Sequence, residues 1–315
     1  MSRHLALVGP TATGKSALAL EVAAQAGDVE IVSLDSMQVY RTMDIGTAKP
    51  TRAERAAVRH HLIDVADPDE DWSVVQSQRL ARVAIAEIEA RGNRALLVGG
   101  TGLYVQAVVD DLAIPGQDLE TRAAFLRDTE TPAGLASAYA RLDALDPVAA
   151  ARIEPNNRRR IVRALEVIAL TGEPFSSFGP GVDTYGPPVL DVALVGLSMP
   201  RDELAARIEQ RFARMRADGL LDEVAALAAR PGGISRTAEQ AIGYKETLAF
   251  VRGTEPSLDA ALDLAVRRTR KFARRQRVWF RRDPRVAWIA APANIADLAP
   301  TILATWSGSV PARMR

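Results

Sequence analysis

No cysteine occurs anywhere in the 315 residues. That absence removes disulfides, thiolate-held zinc and a cysteine nucleophile together, and it fits a reducing interior. Neither sign of charge dominates: 40 Lys and Arg stand against 39 Asp and Glu, a formal +1. The chain as a whole is no polycation, so contact with nucleic acid has to come from local patches. No apolar run approaches membrane-spanning length. The opening "MSRHLALVG" enters an apolar run too short for a signal peptide and lacks a cleavage-like tail. A cytoplasmic protein is expected. Internal repeats and low-complexity tracts are also missing. What remains is an ordinary globular mixture, 48% hydrophobic and 25% charged, long enough for one large domain or two small ones.

The pattern of elements predicts an α/β fold. "HLALV" (4–8), "EIVSL" (30–34), "HHLIDV" and "ALLVGG" (95–100) read as short buried strands. Helices lie between them. One ends at Gly27; another opens on the capping box Ser73/Gln76, runs to Gly92 and carries Val74, Val75, Val83, Ile85 and Ile88 as apolar positions. "TGLYVQAVV" reads as a further helix. Strand and helix in alternation imply a parallel sheet flanked by helices. From Pro115 to Pro188 only helices are expected, the best being "NRRRIVRALEVIALTG", followed by a Gly/Pro/Ser-rich linker. A strand returns at "DVALVGLSM" (191–199). The predicted organisation is an α/β core over 1–114 and 190–315, interrupted by a helical insertion over 115–189.

Two basic helices close the chain. In "RDELAARIEQRFARMRADG", Leu204, Ile208, Phe212 and Met215 share one face, and Arg207, Arg211 and Arg214 line its neighbour. The last long helix is expected between Ser257 and Pro284. Its inner stripe would be Leu258, Leu262, Ala265, Thr269, Phe272 and Trp279. Arg267, Arg270, Lys271, Arg274, Arg277 and Arg281 form a basic stripe beside it.

"GPTATGKS" (9–16) matches G-x-x-x-x-G-K-[ST] between a strand and a helix. Gly9 and Gly14 let backbone N–H groups converge on an anion, Lys15 adds charge and Ser16 can ligate Mg²⁺. By motif alone this is a nucleotide (ATP) site, but the loop does not distinguish ATP from another diphosphate. Nucleotide hydrolases usually end the next core strand in a Mg²⁺-binding carboxylate; here that strand ends in Gly99, Gly100 and Thr101. "DDLAI" (110–114) lacks the DDxxD spacing of prenyl synthases that bind a metal cluster. Asp35 follows the second strand, at the sheet edge where ligands bind. It can serve as a general base or as a plain turn aspartate. His60 and His61 point to opposite faces of a strand, which makes them structural.

"GPTATGKS", "LDSMQVYRTMDIGTAKP", "HHLIDV", "LLVGGTGLY", "NRRRIVRALEV" and "RIEQRFARM" occur in this order. Together they resemble the tRNA dimethylallyltransferases, also called tRNA isopentenyltransferases, over nearly the whole chain. The lack of cysteine resembles the bacterial branch, since some eukaryotic relatives add a zinc finger. The resemblance implies transfer of a dimethylallyl group from dimethylallyl diphosphate to N6 of adenosine at tRNA position 37, 3′ of the anticodon, in tRNAs reading codons that start with U. It implies a monomer with Mg²⁺.

By the same resemblance, Gly9, Pro10, Thr11, Ala12, Thr13, Gly14, Lys15 and Ser16 cradle the donor diphosphate. Asp35 is the base, and Arg211 and Thr13 contact phosphate. Ser36, Met37 and Gln38 read flanking nucleotides. Thr101 lies near the target adenosine, or is simply a helix N-cap. Arg122, Arg158, Arg159, Arg160 and Arg163 on the insertion grip the anticodon stem. Gln240, Gly243, Tyr244 and Lys245, with Arg274, Arg275, Gln276, Arg277 and Arg281, match further tRNA-contacting stretches. Trp279 and Phe280 read as core. Two rivals remain. An adenylate (cytokinin-type) isopentenyltransferase would need neither the arginine-bearing insertion nor the basic last helix. The other is a P-loop kinase or a non-catalytic nucleotide-binding module, and Gly99, where a carboxylate would be expected, counts against it.

Overall fold

The computed structural model describes residues 2–179, 181–182, 184–292 and 294–307. The terminal "VPARMR" lies outside them. The chain forms two compact units, Met1–Asp111 with Tyr185–Arg315, and Leu112–Thr184.

The first unit opens with strand β1 (His4–Val8), helix α1 (Lys15–Ala26), β2 (Val29–Ser33), the short α2 (Arg52–Ala57) and β3 (His60–His61). Then come α3 (Val74–Ala90), β4 (Arg94–Gly99) and α4 (Gly102–Val109). Its capping signals are those expected: Gly27 closes α1 in the left-handed region, and Ser73 and Gln76 form the capping box of α3. The second unit holds α5 (Leu119–Asp128), α6 (Pro132–Leu145), α7 (Pro147–Arg152), α8 (Arg158–Thr171) and one 3₁₀ turn. The chain then returns to the first unit through β5 (Val192–Ser198), α9 (Arg201–Ala217), α10 (Leu220–Ala228), α11 (Arg236–Glu239) and α12 (Tyr244–Val251). It ends with α13 (Leu258–Arg282), β6 (Val286–Ala290) and α14 (Ala299–Trp306).

The six strands form one parallel sheet in the order β3-β2-β4-β1-β5-β6. β1 is central and every residue in it is buried. Alternation along it feeds two cores. Leu5 and Leu7 pack with Leu18 and Val22 of α1, while Ala6 and Val8 pack with Ala84 and Ile88 of α3. Covering both faces explains why the strand reads as an unbroken apolar run. Each fully buried leucine there contributes about 1.5–3 kcal/mol. All strands run the same way, so the turns after β1, β2 and β4 emerge at one edge.

Three expectations change. β3 is only two residues long, because the chain bends at once into left-handed turns at Leu62 and Asp64. In α3, Val75 and Val83 are exposed; the inward stripe is Ser77, Ala81, Ala84, Ile85 and Ile88, in which the small Ser77, Ala81 and Ala84 let α3 lie close to the sheet and the two isoleucines fill the core. In α13 the buried stripe is Ala261, Leu262, Ala265, Thr269, Ala273, Gln276 and Phe280. That helix packs against α9, α12 and α4 in turn. Its buried face therefore passes through Gln276 and Phe280, and Trp279 sits at the border, against the Gly102 turn.

The second unit has its own core of Leu142, Ile161, Ala164 and Leu165. The fully buried Glu166 carboxylate organises it. It accepts the Asp118 N–H at 3.0 Å and pairs with Arg122 at 3.0 Å and Arg163 at 3.1 Å.

Candidate active site

The phosphate loop leaves β1 through Gly9, whose φ is 135°. A Cβ there would lie 2.7 Å from the Leu197 carbonyl of β5, so only glycine lets the chain pass. Ala12 and Gly14 also take left-handed φ values, 65° and 91°. The Thr13 hydroxyl donates to the Pro10 carbonyl at 2.9 Å and is buried. Its side chain therefore locks the loop from within, where the family resemblance implies a contact with phosphate. Lys15 Nζ donates to the same carbonyl at 2.7 Å, and Ser16 is exposed in the first turn of α1.

Gln276 of α13 reaches under the loop. Its amide oxygen accepts the Thr11 N–H at 2.8 Å, and its NH₂ donates to the Gly100 carbonyl at 2.9 Å. One buried side chain thus ties the last long helix to the phosphate loop and to the end of β4. Gln276 was expected to meet tRNA, but its amide is engaged on both sides within the protein.

Asp35 is held as a turn aspartate at the edge of the site. Its Oδ1 accepts the Met37 and Gln38 N–H groups at 2.8 and 3.3 Å, an Asx turn. Its carboxylate also lines two adjoining cavities, of 260 and 880 Å³. Thr101 occupies the N-cap position of α4 but makes no side-chain cap bond, and it lines the smaller cavity with Asp35. Gln38 is buried, bonded to Ser33 and to the Thr47 and Ala48 carbonyls, and so holds the loop wall.

The two cavities share Thr11, Asp35, Thr47, Arg211, Met215 and Phe272. The larger takes in Gly14, Lys15, Ser16, Arg207 and Arg214. The smaller adds an apolar wall of Met37, Phe212 and Ile242, with Gln240 and Arg275. Arg211 bonds the Thr11 hydroxyl at 3.1 Å and stands over the phosphate loop. Burial lowers the Lys15 pKa to about 7; Asp35 opposes the shift and Arg211 adds to it. Burial also lowers that of Arg211, again against the pull of Asp35. An anion seated here would restore the charge that burial weakens. The arrangement suits a leaving anion on one side of Asp35 and a weak nucleophile on the other.

The remaining expected residues divide by their partners. Arg158 donates to Thr129 and to the Leu126 carbonyl, and Arg163 to the Pro115 and Gly116 carbonyls. With Arg122 on Glu166, three of the five insertion arginines brace their own unit; Arg159 and Arg160 are exposed. Gly243 and Tyr244 are buried, while Gln240 and Lys245 are exposed and bonded to each other at 2.9 Å. Arg274, Arg275 and Arg281 are exposed along α13. Burial, then Arg201, Arg281 and Arg274, lower the pKa of Arg277. Arg201 thus joins this basic face, although nothing in the spacing of the last helix pointed to it. His60 pairs with the Val58 carbonyl and His61 with Glu30, separate partners that agree with structural roles.

Among the described residues no group of three or more His, Cys, Asp or Glu side chains is placed to hold a metal ion. Ser16 offers one hydroxyl at the loop. A Mg²⁺ ion would fit there by taking its other ligands from phosphate oxygens and water, as this ion commonly does. No helix among the described residues is long and apolar enough to cross a membrane.

The chain is similar to known proteins along nearly its whole length. The model of the IPP transferase family matches residues 38–283. The chain is 48% identical over 306 residues to a tRNA dimethylallyltransferase of Kineococcus radiotolerans, covering 95% of both. It is 49% identical to one of Streptomyces coelicolor, over 94% of this chain and 92% of the relative. Its structure resembles the crystal structure of a tRNA isopentenylpyrophosphate transferase from Bacillus halodurans (TM-score 0.71, 38% identity, 98% and 96% covered). It also resembles a eukaryotic dimethylallyltransferase studied acting on tRNA (TM-score 0.80, 25% identity, 99% and 81% covered).

Proposed function

The chain belongs to the IPP transferase family, and on that premise we propose that it transfers a dimethylallyl group from dimethylallyl diphosphate to N6 of adenosine 37 in tRNA. The observation that carries the reading is the position of Asp35, at the junction of a phosphate-loop cavity and a smaller, partly apolar one.

The donor diphosphate lies along Gly9–Ser16, with the Lys15 ammonium and the Arg211 guanidinium on its oxygens. Ser16 would hold a Mg²⁺ ion, which would supply further positive charge at the diphosphate. The prenyl carbon C1 faces the shared segment of the two cavities, and the adenine enters through the smaller one. Adenine N6 attacks C1 as the C1–O bond breaks. The N6 proton passes to Asp35, whose Oδ1 is already held by two backbone N–H groups, leaving the second oxygen for the base. The departing diphosphate takes the electron pair of the broken bond. Charge grows on it as it leaves, and preorganised donors there are worth more than they would be in water. No water is activated, so a carboxylate at the end of β4 has no task.

Adenosine 37 is stacked in the anticodon loop and has to be drawn out to reach this depth. In this reading Arg274, Arg275, Arg277 and Arg281, with Arg201, hold RNA phosphates, and Arg159 and Arg160 do so from the helical unit. Such contacts orient the RNA without reading its sequence. The protein acts as a monomer in the cytoplasm.

The test replaces adenosine 37 of an anticodon stem-loop by purine riboside, which lacks the 6-amino group. Labelled dimethylallyl should pass to the adenosine RNA and not to the purine RNA. Equal labelling of both would place the acceptor atom elsewhere and overturn the reading.

A further inference from the structure

Glu223 sits in the first turn of α10, outside both cavities, yet its carboxylate is the most heavily engaged group near them. Oε2 accepts the N–H groups of Asp44 and Ile45, each at 2.9 Å, and Oε1 accepts that of Gly46 at 3.2 Å. Three successive backbone N–H groups converging on one carboxylate form an anion nest. The Tyr244 hydroxyl donates to the same Oε1. The Tyr244 ring lies against Gly46, where a Cβ would come within 2.4 Å of it. Burial, then Glu223, push the Tyr244 hydroxyl pKa far up, so it stays a donor.

The gripped loop is a wall of the site. Gly46 and Thr47 line the smaller cavity with Asp35. From the loop the connection runs inward: Gln38 donates to the Thr47 and Ala48 carbonyls, and its own N–H is one of the two on Asp35 Oδ1. The loop does not rest in a relaxed form. Thr42 and Ala48 hold φ values of 62° and 48°, a geometry that persists only where the surroundings impose it. Lys49 adds a second restraint from below. Its buried ammonium donates to the Tyr40 carbonyl at 2.6 Å and to Asp64 at 2.7 Å.

We propose that Glu223 and Tyr244 are positioning residues: a clamp that fixes the Asp44–Lys49 loop and, through Gln38, aims the Asp35 carboxylate at the acceptor nitrogen. Tyr244, which the sequence resemblance assigned to tRNA, acts from inside the protein. The proposal rests on the prenyl-transfer reading of the site. The gripped loop also lines the larger cavity, at Asp44, Ile45, Thr47, Ala48 and Lys49, but the groups assigned to the diphosphate are those of the phosphate loop and Arg211, none of which the clamp touches.

The experiment compares Glu223→Gln, Glu223→Ala, Tyr244→Phe and the Glu223→Ala/Tyr244→Phe double variant in the full chain. Four quantities are read: single-turnover transfer to a stem-loop RNA, affinity for inorganic diphosphate, melting temperature, and hydrogen exchange at the amides of Asp44, Ile45 and Gly46. Misplacing a reacting group by about 1 Å can cost about 10²-fold in rate. Transfer should fall about that far in Glu223→Ala and less in Glu223→Gln. Tyr244→Phe should add little to Glu223→Ala, because both act on one clamp. Diphosphate affinity should stay within about twofold, as the phosphate loop is untouched, while exchange at the three amides accelerates. Unchanged transfer would overturn the proposal. So would loss of diphosphate affinity and melting temperature in step with transfer, which would mark a merely structural pair. Should the wild-type chain transfer nothing, the prenyl-transfer reading would fall, and the exchange data alone would still decide whether the clamp holds the loop.

Discussion

Asp35 is a turn aspartate by its hydrogen bonds and the proposed base by its place. Its Oδ1 closes a turn on Met37 and Gln38 while its carboxylate faces the junction of the cavities. Asp35→Asn keeps the turn and removes the proton acceptor. Transfer should fall by about 10²–10⁴-fold, the usual weight of a general base, with inorganic diphosphate bound as before; single-turnover assays and calorimetry check the two halves. Lys15 supports a second expectation. Its pKa in the free protein is lowered to about 7 by burial, and a bound diphosphate raises it again. Above that pH the free lysine is largely neutral and the bound one charged, so binding takes up a proton and affinity falls as pH rises. Calorimetry of diphosphate binding at pH 8.5 in buffers of different ionisation enthalpy should show more proton uptake by the wild type than by Lys15→Gln, because diphosphate titrates near this pH by itself, and equal exchange would refute the assignment. At this scale the sequence was readable where a motif names a backbone geometry, as at Gly9 and Gly14. It did not show that the Thr13 and Gln276 side chains bond within the protein, because the way a polar side chain turns depends on neighbours that only the fold supplies.

Elements show the same division. Period, caps and glycine stops mark β1, β2, β4, β5, α1, α3, α8, α9 and α13 in the sequence itself, since those signals are local. β6 escaped: "VAWIA" is five residues whose strand character comes from pairing with β5. The stripe of α13 was drawn for one neighbour, and the helix meets three. What survives is its outward basic face. Arg274→Ala, Arg277→Ala and Arg281→Ala together should weaken stem-loop RNA binding most at low salt, the deficit shrinking as salt rises. The slope of log affinity on log salt should flatten by about 0.7–0.9 for each RNA phosphate that is no longer neutralised. Filter binding from low to high salt measures it; an unchanged slope would remove this face from the interface.

For the whole molecule, near-neutral net charge concealed a division of labour. The positive groups are local: Lys15 and Arg211 at the phosphate loop, a stripe on α13, and two exposed arginines on the helical unit, where Arg122, Arg158 and Arg163 serve its own core. A chain that prenylates a free nucleotide needs the first group only. The most direct measurement is therefore a competition. Labelled dimethylallyl diphosphate is offered to the wild-type protein with Mg²⁺, an anticodon stem-loop RNA carrying adenosine 37, and an excess of AMP. Label should appear on the RNA, with AMP unlabelled. Label on AMP in preference to RNA would contradict tRNA as the acceptor and leave the basic helices without a role.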